Sequence, residues 1–361
     1  MEFNFKNELD NKIKVKVKMK KLKFAIIGCG FWSQFQLGAW TELDGVECVA
    51  LFNRTKSKAD LLAARFNVPR TYDNVEELFK NEELDFVDII TDVDTHYAFV
   101  KMAVDHGIKY IISQKPMAPD YETAKAMVKV CKDAGAKLYI HENYRWQAPV
   151  RRFKEILDSG VIGKVFKARV SFLSGFPVFD NQPFLAELDH FILTDMGSHV
   201  FDSIRYLFGE VDQMWCQAGA VNPKIKGEDM AAAFLKMESG IPLYTELTYA
   251  TKMEDDSFST IWILAEGEKG TINLGPHFTI KTTVGSETTT EVVEFPSYDW
   301  ADPDYIVNHE SGIPLNRNIL NDILGIEQAE NTGEDNFKTV QLVWAAYESA
   351  ASGMIINMKE F

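Results

Sequence analysis

Two short segments of the sequence carry side chains of the types that move protons. Lys115 follows the apolar run 109–113 and is held out of the helical region by Pro116. Asp195 and His199 lie four residues apart in the segment TDMGSH, so on a helix they share one face. Histidine titrates near neutral pH and commonly accepts protons in catalysis. These residues predict proton-transfer chemistry. The alternatives are a structural lysine and an ordinary surface aspartate–histidine pair.

A glycine-rich turn follows the first predicted strand. Its residues are Gly28, Gly30, Phe31, Trp32 and Ser33. The first glycine permits the tight turn, and the second lets the backbone approach a pyrophosphate at the N-terminus of a helix. The third position requires only a small residue, here Ser33. Because the turn lies between a predicted strand and a predicted helix, it predicts a bound dinucleotide at these residues rather than a merely structural turn.

The end of the second predicted strand bears on the choice between the two nicotinamide cofactors. A carboxylate usually bonds the adenosine ribose at this point, but this chain has Asn53 and Arg54. Asparagine lacks the charge that would repel a 2′-phosphate, and the guanidinium can pair with one. In the alternative interpretation, Arg54 is solvated and Asn53 bonds the ribose of NAD. We therefore expect NADP or NAD, with a slight preference for NADP.

Short apolar runs alternate with helical segments in the first part of the chain. Strands are predicted over 23–28, 46–52, 85–91, 109–113 and 137–142, and helices over 57–66, 95–107 and 121–135. Strands that are apolar on both faces and alternate with helices are typical of a parallel, doubly wound Rossmann sheet. Ligands of such sheets bind outside the carboxyl ends of the strands, so Lys115 should face the cofactor.

The pattern changes to longer strands after about residue 145. These strands are predicted over 163–175, 213–221, 229–251, 259–275 and 278–295, and a closing helix over 333–352. Tight turns at Gly240 and Gly285 favour an antiparallel meander. One face carries threonines and aromatic residues, and an open sheet of that kind often docks against a second copy. The pattern therefore predicts a homodimer or homotetramer through this sheet.

Together these patterns predict an α/β protein with two domains. Residues 22–143 form a Rossmann domain with a doubly wound parallel sheet, and residues 144–361 form an α+β domain with a large, mainly antiparallel open sheet. The final helix should pack back toward the Rossmann domain. Residues 1–21 form an N-terminal extension that we interpret as a charged leader, with an added edge strand or a basic arm for nucleic acid as alternatives.

Composition and charge argue against several classes of protein. The 361 residues carry a formal net charge of −15, which argues against nucleic acid or an anionic membrane as the main partner. Four scattered cysteines favour neither a metal site nor a disulfide framework, so we expect no metal and a reducing cytoplasm. No apolar run approaches the roughly 18 residues of a membrane span.

The glycine turn, the tripeptide QKP at 114–116 and the segment TDMGSH together resemble the glucose–fructose oxidoreductase / inositol dehydrogenase / MocA family, from about residue 22 to the end. The resemblance implies that Lys115 contacts the substrate hydroxyl that is oxidised. It also implies that His199 accepts the hydroxyl proton and that Asp195 pairs with the histidine or with a sugar hydroxyl. Family members differ over which residue is the base; we expect His199, with Lys115 as the polarising donor. Gln114 departs from the family motif Glu-Lys-Pro, and a neutral amide cannot pair with the lysine as a carboxylate would.

The resemblance implies further ligand-binding residues. For the substrate these are Lys115, Asn143, Arg145, Asp195 and His199, and for the nicotinamide end of the cofactor Thr91, His96, Gln114 and Lys115. His96 is equally suited to start a helix on the surface. The segment 174–190 is rich in Phe and Pro and lacks periodicity. It predicts a loop over the cleft whose aromatic residues could stack on a sugar, or one that only fills the gap between the domains.

The prediction is an NAD(P)-dependent sugar or polyol dehydrogenase. It transfers a hydride between the nicotinamide and a hydroxyl-bearing carbon of a sugar, an inositol-like polyol or a sugar derivative, while the protein supplies orientation and proton transfer. Three alternatives stay open: a redox-neutral NAD-dependent glycosidase, a cofactor-sensing regulatory protein without turnover, and a biliverdin-reductase-like enzyme. Lys115, Asp195 and His199 argue against the sensor, which needs no proton acceptor.

Overall fold

The computed structural model describes residues 21–253 and 261–361. All but the last residue of the predicted N-terminal extension lies outside the described residues, so its three interpretations stay predictions. The boundary between domains at residues 143 and 144 also stays a prediction. The described residues form two sheets, of six and nine strands.

The first sheet is built from alternating strands and helices. Its elements are β1 (Leu22–Ile27), α1 (Ser33–Thr41), β2 (Val46–Phe52), α2 (Lys56–Phe66), β3 (Arg70–Tyr72), α3 (Val75–Asn81), β4 (Phe86–Ile89), α4 (His96–Asp105), β5 (Tyr110–Gln114), α5 (Tyr121–Asp133) and β6 (Lys137–His141). The strand order is β3-β2-β1-β4-β5-β6, and all neighbours are parallel. The predicted doubly wound Rossmann sheet is therefore confirmed.

Strand β1 is apolar on both faces because helices cover both sides of the sheet. Phe24 and Ile26 pack on one side with Trp40 of α1, and Ala25 and Ile27 pack on the other side. These side chains are almost fully buried. Burying a large apolar side chain stabilises the fold by about 1.5–3 kcal/mol. Burial on both faces therefore fixes β1 between two layers of the protein. It also fixes the carboxyl end of β1, where the glycine turn begins.

The second sheet follows a more complex path. The elements after β6 are α6 (Ala148–Asp158), β7 (Val165–Leu173), α7 (Val178–Asn181), α8 (Ile192–Phe208), β8 (Val211–Gly219), β9 (Met230–Met237), β10 (Pro242–Thr248), β11 (Trp262–Gly267), β12 (Gly270–Gly275), β13 (Thr279–Val284), β14 (Glu287–Val292), α9 (Ile306–Glu310), α10 (Gly312–Ile323), α11 (Gly333–Ser352) and β15 (Ile356–Asn357). The order is β14-β13-β12-β11-β7-β10-β9-β8-β15. The sheet is large and mainly antiparallel, as predicted.

The predicted continuous meander is wrong at the centre of this sheet. Strand β7 lies between β10 and β11, and it pairs with β10 in parallel. Val170 of β7 lies opposite Thr245 on one side and Ile263 on the other. The alternation of buried and exposed residues determines which face of β7 is buried, but it does not determine the neighbouring strands. The hairpins at Gly240 and Gly285 are confirmed, and both glycines have positive φ.

Helices α8 and α11 cover one face of the second sheet. Val200 and Ile204 of α8 share a core with Leu342 of α11 and with the strands. Helix α11 also packs against α5 and β6 of the first sheet, so it contacts both sheets. Its predicted bounds, 333–352, are confirmed. Its N-terminus is capped by Thr332, whose hydroxyl oxygen accepts a hydrogen bond from the backbone of Asp335.

The aromatic segment 174–190 contains α7 and a short 3-10 helix over 183–187. Phe179 lies 5.2 Å from Phe191 between ring centroids, and Phe176 lies 6.3 Å from Tyr305. Aromatic side chains of the segment thus pack on other aromatic residues of the protein, and its contact with a sugar stays a prediction. Within the described part of the chain, no helix is long and apolar enough to cross a membrane.

Candidate active site

The glycine turn at the end of β1 has room for a phosphate group. Gly28 has a φ of +105°, and a Cβ atom there would collide with the carbonyl group of Ile90, so only glycine fits. At Gly30 a Cβ would meet no atom within 4 Å, which leaves open space at the start of α1. The Ser33 hydroxyl donates to the Gly30 carbonyl at 2.7 Å. Backbone N–H groups at a helix N-terminus attract anions, so these residues fit the pyrophosphate of a dinucleotide.

The residues around the turn are held by the protein itself. Asn53 accepts a hydrogen bond from the backbone of Cys29 at 3.0 Å and donates to the carbonyl of Thr55 at 2.9 Å. Arg54 is exposed, and its side chain makes no ion pair with the described residues. Phe31 is 74% exposed beside the turn, whereas Trp32 packs on the rings of other residues. The end of β2 therefore presents a cation and no carboxylate where an adenosine ribose would lie.

Lys115 connects the two sheets. It follows β5, and its Nζ lies 2.9 Å from Oδ1 of Asp195 on α8. Both side chains are partly exposed, at 21% and 23%, so a ligand can reach them. Asp195 and His199 lie on one helix, four residues apart, as predicted.

The departure at Gln114 has a structural explanation. The Gln114 carbonyl oxygen accepts from the backbone N–H of Lys115 at 2.7 Å, and its amide donates to Gln36 at 2.8 Å. Gln36 in turn donates to Asp88 at 2.7 Å, and Trp40 donates to the other oxygen of Asp88 at 2.8 Å. Burial raises the pKa of Asp88 to about 7. Both ends of the Gln114 side chain are bonded within the protein, and its contact with the cofactor stays a prediction. The side chain positions Lys115.

The partner of His199 is Glu142, which follows β6. The Nδ1 atom of His199 forms a short hydrogen bond with Oε1 of Glu142, and the imidazole stacks on the ring of Tyr144 with centroids 3.8 Å apart. Asp195 pairs with Lys115, and its charge favours the protonated form of His199, so its predicted role as partner of the histidine or of a sugar hydroxyl stays a prediction. Within the described residues Nε2 of His199 has no hydrogen-bond partner, so this atom is available to a substrate.

Burial favours the neutral forms of both residues of this pair, whereas the charge of Lys115 favours neutral His199 and ionised Glu142. Burial and the nearby Lys115 hold the pKa of His199 well below its usual range. Burial raises the pKa of Glu142 to about 7, and Lys115 opposes that rise. Near neutral pH the imidazole is uncharged, as a proton acceptor must be.

His96 is buried, so its alternative interpretation as a surface residue is wrong. Its Nδ1 lies 3.1 Å from the carbonyl oxygen of Pro116, and its Nε2 lies 3.0 Å from that of Thr91. Burial lowers the pKa of this histidine. Both ring nitrogens lie within hydrogen-bond distance of backbone carbonyl oxygens, and the contact of His96 with the nicotinamide ribose stays a prediction. It connects the turn after β4 to the segment that carries Lys115.

Arg145 and Asn143 lie inside the protein rather than in a substrate cleft. The Arg145 guanidinium donates to both oxygens of Asp202 at 2.7 and 2.6 Å and to Asp335 at 3.1 Å. Asn143 donates to the hydroxyl of Ser311 at 2.8 Å. Separating the buried guanidinium from its carboxylate partners, so that it could bind a substrate, would cost free energy. In the described residues these two side chains hold neighbouring elements together, and their contact with a substrate stays a prediction.

Glu142 is the site residue that the sequence analysis missed. Its signal was present, because a carboxylate directly after a buried parallel strand lies at the edge where ligands bind. It stands next to Asn143, which was selected by resemblance instead. Within the described residues no group of three or more His, Cys, Asp or Glu side chains is placed to hold a metal ion.

Comparison with known proteins identifies the family. Residues 22–142 match the oxidoreductase family with an NAD-binding Rossmann fold, and residues 150–273 match the GFO/IDH/MocA C-terminal domain. The chain belongs to the GFO/IDH/MocA family of oxidoreductases, and the predicted resemblance and enzyme class are confirmed.

Two relatives share nearly the whole chain. D-apiose dehydrogenase from Rhizobium rhizogenes (strain K84 / ATCC BAA-868) is 37% identical over 94% of this chain and 98% of its own. D-apiose dehydrogenase from Paraburkholderia graminis is 35% identical over 94% of this chain and 91% of its own. The crystal structure of an oxidoreductase from Agrobacterium radiobacter in complex with NAD+, L-tartaric acid and magnesium superposes with a TM-score of 0.90 at 37% identity, covering 94% of this chain and 99% of the other.

Proposed function

We propose that the protein oxidises a hydroxyl group of D-apiose or a similar aldose and passes the hydride to a nicotinamide. The observation that carries the proposal is the assembly of Lys115, Asp195 and His199 at the carboxyl edge of the Rossmann sheet, with Lys115 and Asp195 2.9 Å apart. The similarity to two D-apiose dehydrogenases over 94% of the chain supports the substrate class.

The residues of this chain divide the work as follows. The Lys115 ammonium donates a hydrogen bond to the substrate hydroxyl oxygen and stabilises the negative charge that develops there. Asp195 holds the ammonium in place through its 2.9 Å ion pair. The Nε2 atom of His199 accepts the hydroxyl proton. When bound, the nicotinamide supplies the acceptor for the hydride.

The cofactor is held at the glycine turn in this proposal. Gly28 and Gly30 allow the pyrophosphate to approach the N-terminus of α1, and Asn53 and Arg54 lie toward the adenosine ribose. Because Arg54 is exposed and Asn53 carries no charge, we expect both NAD and NADP to bind, with a slight preference for NADP. The NAD+ complex of the similar oxidoreductase supports the NAD part of this proposal.

We propose a homodimer or homotetramer that forms through the outer face of the second sheet. Phe234 of β9 is 60% exposed and contacts Tyr244 of β10 on the face away from α8 and α11. An exposed apolar patch on an open sheet commonly marks an interface. Light scattering of the purified protein measures its mass, and a monomer would contradict this part of the proposal. The four free cysteines agree with a reducing compartment, for which we propose the cytoplasm.

The test is a substrate panel with both cofactors. Purified protein is incubated with D-apiose, other aldoses and polyols, and the absorbance of the reduced nicotinamide is followed. The expected result is net reduction with D-apiose or a related aldose. Cleavage of a glycoside without net reduction would contradict the proposal and favour the redox-neutral glycosidase. Cofactor binding without turnover on any sugar would favour the sensor.

A further inference from the structure

Glu142 has a second carboxylate oxygen that the proposed chemistry does not use. Its side chain is fully buried. Oε1 meets Nδ1 of His199 and also accepts from the backbone N–H of Tyr144 at 3.3 Å. Oε2 has no hydrogen-bond partner within the described residues. A buried carboxylate oxygen without a partner is costly, so its position requires a cause.

We propose that the Glu142 carboxylate, through its contact with Nδ1, sets the tautomer of His199 in which Nε2 can take the substrate proton. The inference rests on the proposed function, because it requires His199 to be the base. It assigns a positioning role to Glu142, which acts through His199.

The proton transfers balance in the following order. With Glu142 ionised, Nδ1–H of His199 donates to Oε1, and Nε2 presents a lone pair to the substrate. Nε2 takes the hydroxyl proton to form an imidazolium, whose Nδ1–H stays bonded to the Glu142 carboxylate, and Nε2 passes its proton to solvent after the product leaves. The hydride leaves the same carbon for the nicotinamide, so each oxidised hydroxyl releases one proton.

Protonation of Glu142 blocks this sequence. A protonated carboxyl group donates its O–H to Nδ1, which places the ring proton of the neutral imidazole on Nε2. That nitrogen then has no lone pair for the substrate. The charged and titratable groups that face Glu142 are Lys115, Arg145, Asp195, His199 and Asp202. Lys115 and Arg145 favour the carboxylate, whereas burial and Asp195 favour the protonated form, and the pKa lies at about 7. Oxidation should therefore rise with pH through about 7.

The first test is the pH dependence of kcat/KM for sugar oxidation in wild type, Glu142→Gln and Glu142→Asp. Glutamine does not titrate, so the rising limb should disappear and the plateau should fall by about 10²-fold or more. Glu142→Asp keeps a titratable carboxyl group, so its kcat/KM profile should again show a rising limb. Wild-type rate and limb in Glu142→Gln would overturn the proposal.

Glu310 offers a matched control. Burial also raises its pKa to about 7, and its Oε2 likewise lacks a partner within the described residues. It makes no contact with Lys115, Asp195 or His199 in the described part of the chain. Glu310→Gln should therefore keep the wild-type limb and rate. Loss of the limb in this variant as well would show that any buried carboxyl group produces it, which would overturn the assignment to Glu142.

The second test needs neither cofactor nor turnover. Nitrogen NMR of the histidine rings, assigned with His199→Asn, reports which ring nitrogen carries the proton. One pH unit above the limb, wild type should carry it on Nδ1 of His199, and one unit below, on Nε2. A proton on Nε2 at both pH values would overturn the proposal. If no sugar is oxidised at all, the proposed function fails, but the NMR result still decides whether Glu142 sets the tautomer.

Discussion

At the level of single residues, Lys115 is the side chain whose position the sequence predicted most directly. A lysine after a buried parallel strand cannot turn into the core without a partner, so it faces the edge where ligands bind. The structure places it there, 2.9 Å from Asp195. The sequence did not predict the hydrogen bonds behind Lys115. They join Gln114, Gln36 and Asp88, which meet only in the folded protein. The partner of His199 was missed for the same reason.

The substitution Lys115→Ala should lower kcat by at least about 10²-fold, since it removes a positioned acid–base group. The Kd of the cofactor should change little, because the pyrophosphate is expected at the glycine turn. Stopped-flow kinetics and a binding titration measure the two quantities. The control is Lys129→Ala on α5, an exposed lysine that forms an ion pair with Asp133. Near-normal turnover in Lys115→Ala would mean that the lysine is structural.

Arg54 tests the cofactor preference. Removing one charge-assisted contact to the 2′-phosphate should weaken NADP by about 1.5–3 kcal/mol and leave NAD almost unchanged. Titration of both cofactors into wild type and Arg54→Ala measures the difference. Equal weakening of both cofactors, or a strong wild-type preference for NAD, would contradict the argument from the phosphate.

At the level of elements, the strongly periodic segments were predicted well. Strand β2 and helix α11 have the predicted bounds, 46–52 and 333–352. Strand β3 and helix α3 were missed, because three and seven residues are too few to establish a period. The central position of β7 could not be predicted either, since the alternation of its side chains determines a buried face and not a neighbouring strand.

Buried ion pairs hold α8 in its place. Arg145 joins Asp202 of α8 to Asp335 of α11. Replacing Asp202 with asparagine leaves the buried guanidinium with one fewer counter-charge, so the free energy of unfolding should fall by about 3 kcal/mol. The control, Asp133→Asn, breaks an exposed helical pair and should cost about 0.5 kcal/mol or less. Urea unfolding measures the free energy of unfolding of both variants. Equal decreases in that free energy would mean that the buried pair does not anchor α8.

At the level of the whole molecule, the site exists only where the two sheets meet. The Rossmann sheet contributes Lys115 and Glu142, and α8, on the second sheet, contributes Asp195 and His199. Helix α11 packs on elements of both sheets and so links them. Neither part alone brings Lys115 together with His199. We therefore expect oxidation to require the intact chain.

The central claim is that a hydride passes from a sugar carbon to the nicotinamide. The most direct measurement uses D-apiose, and then the other aldoses, with deuterium on every carbon-bound position. The account predicts that reduced nicotinamide accumulates with one deuterium on its ring for each sugar oxidised. Conversion of the sugar without deuterium in the nicotinamide, or no reduction with any aldose tested, would contradict the account.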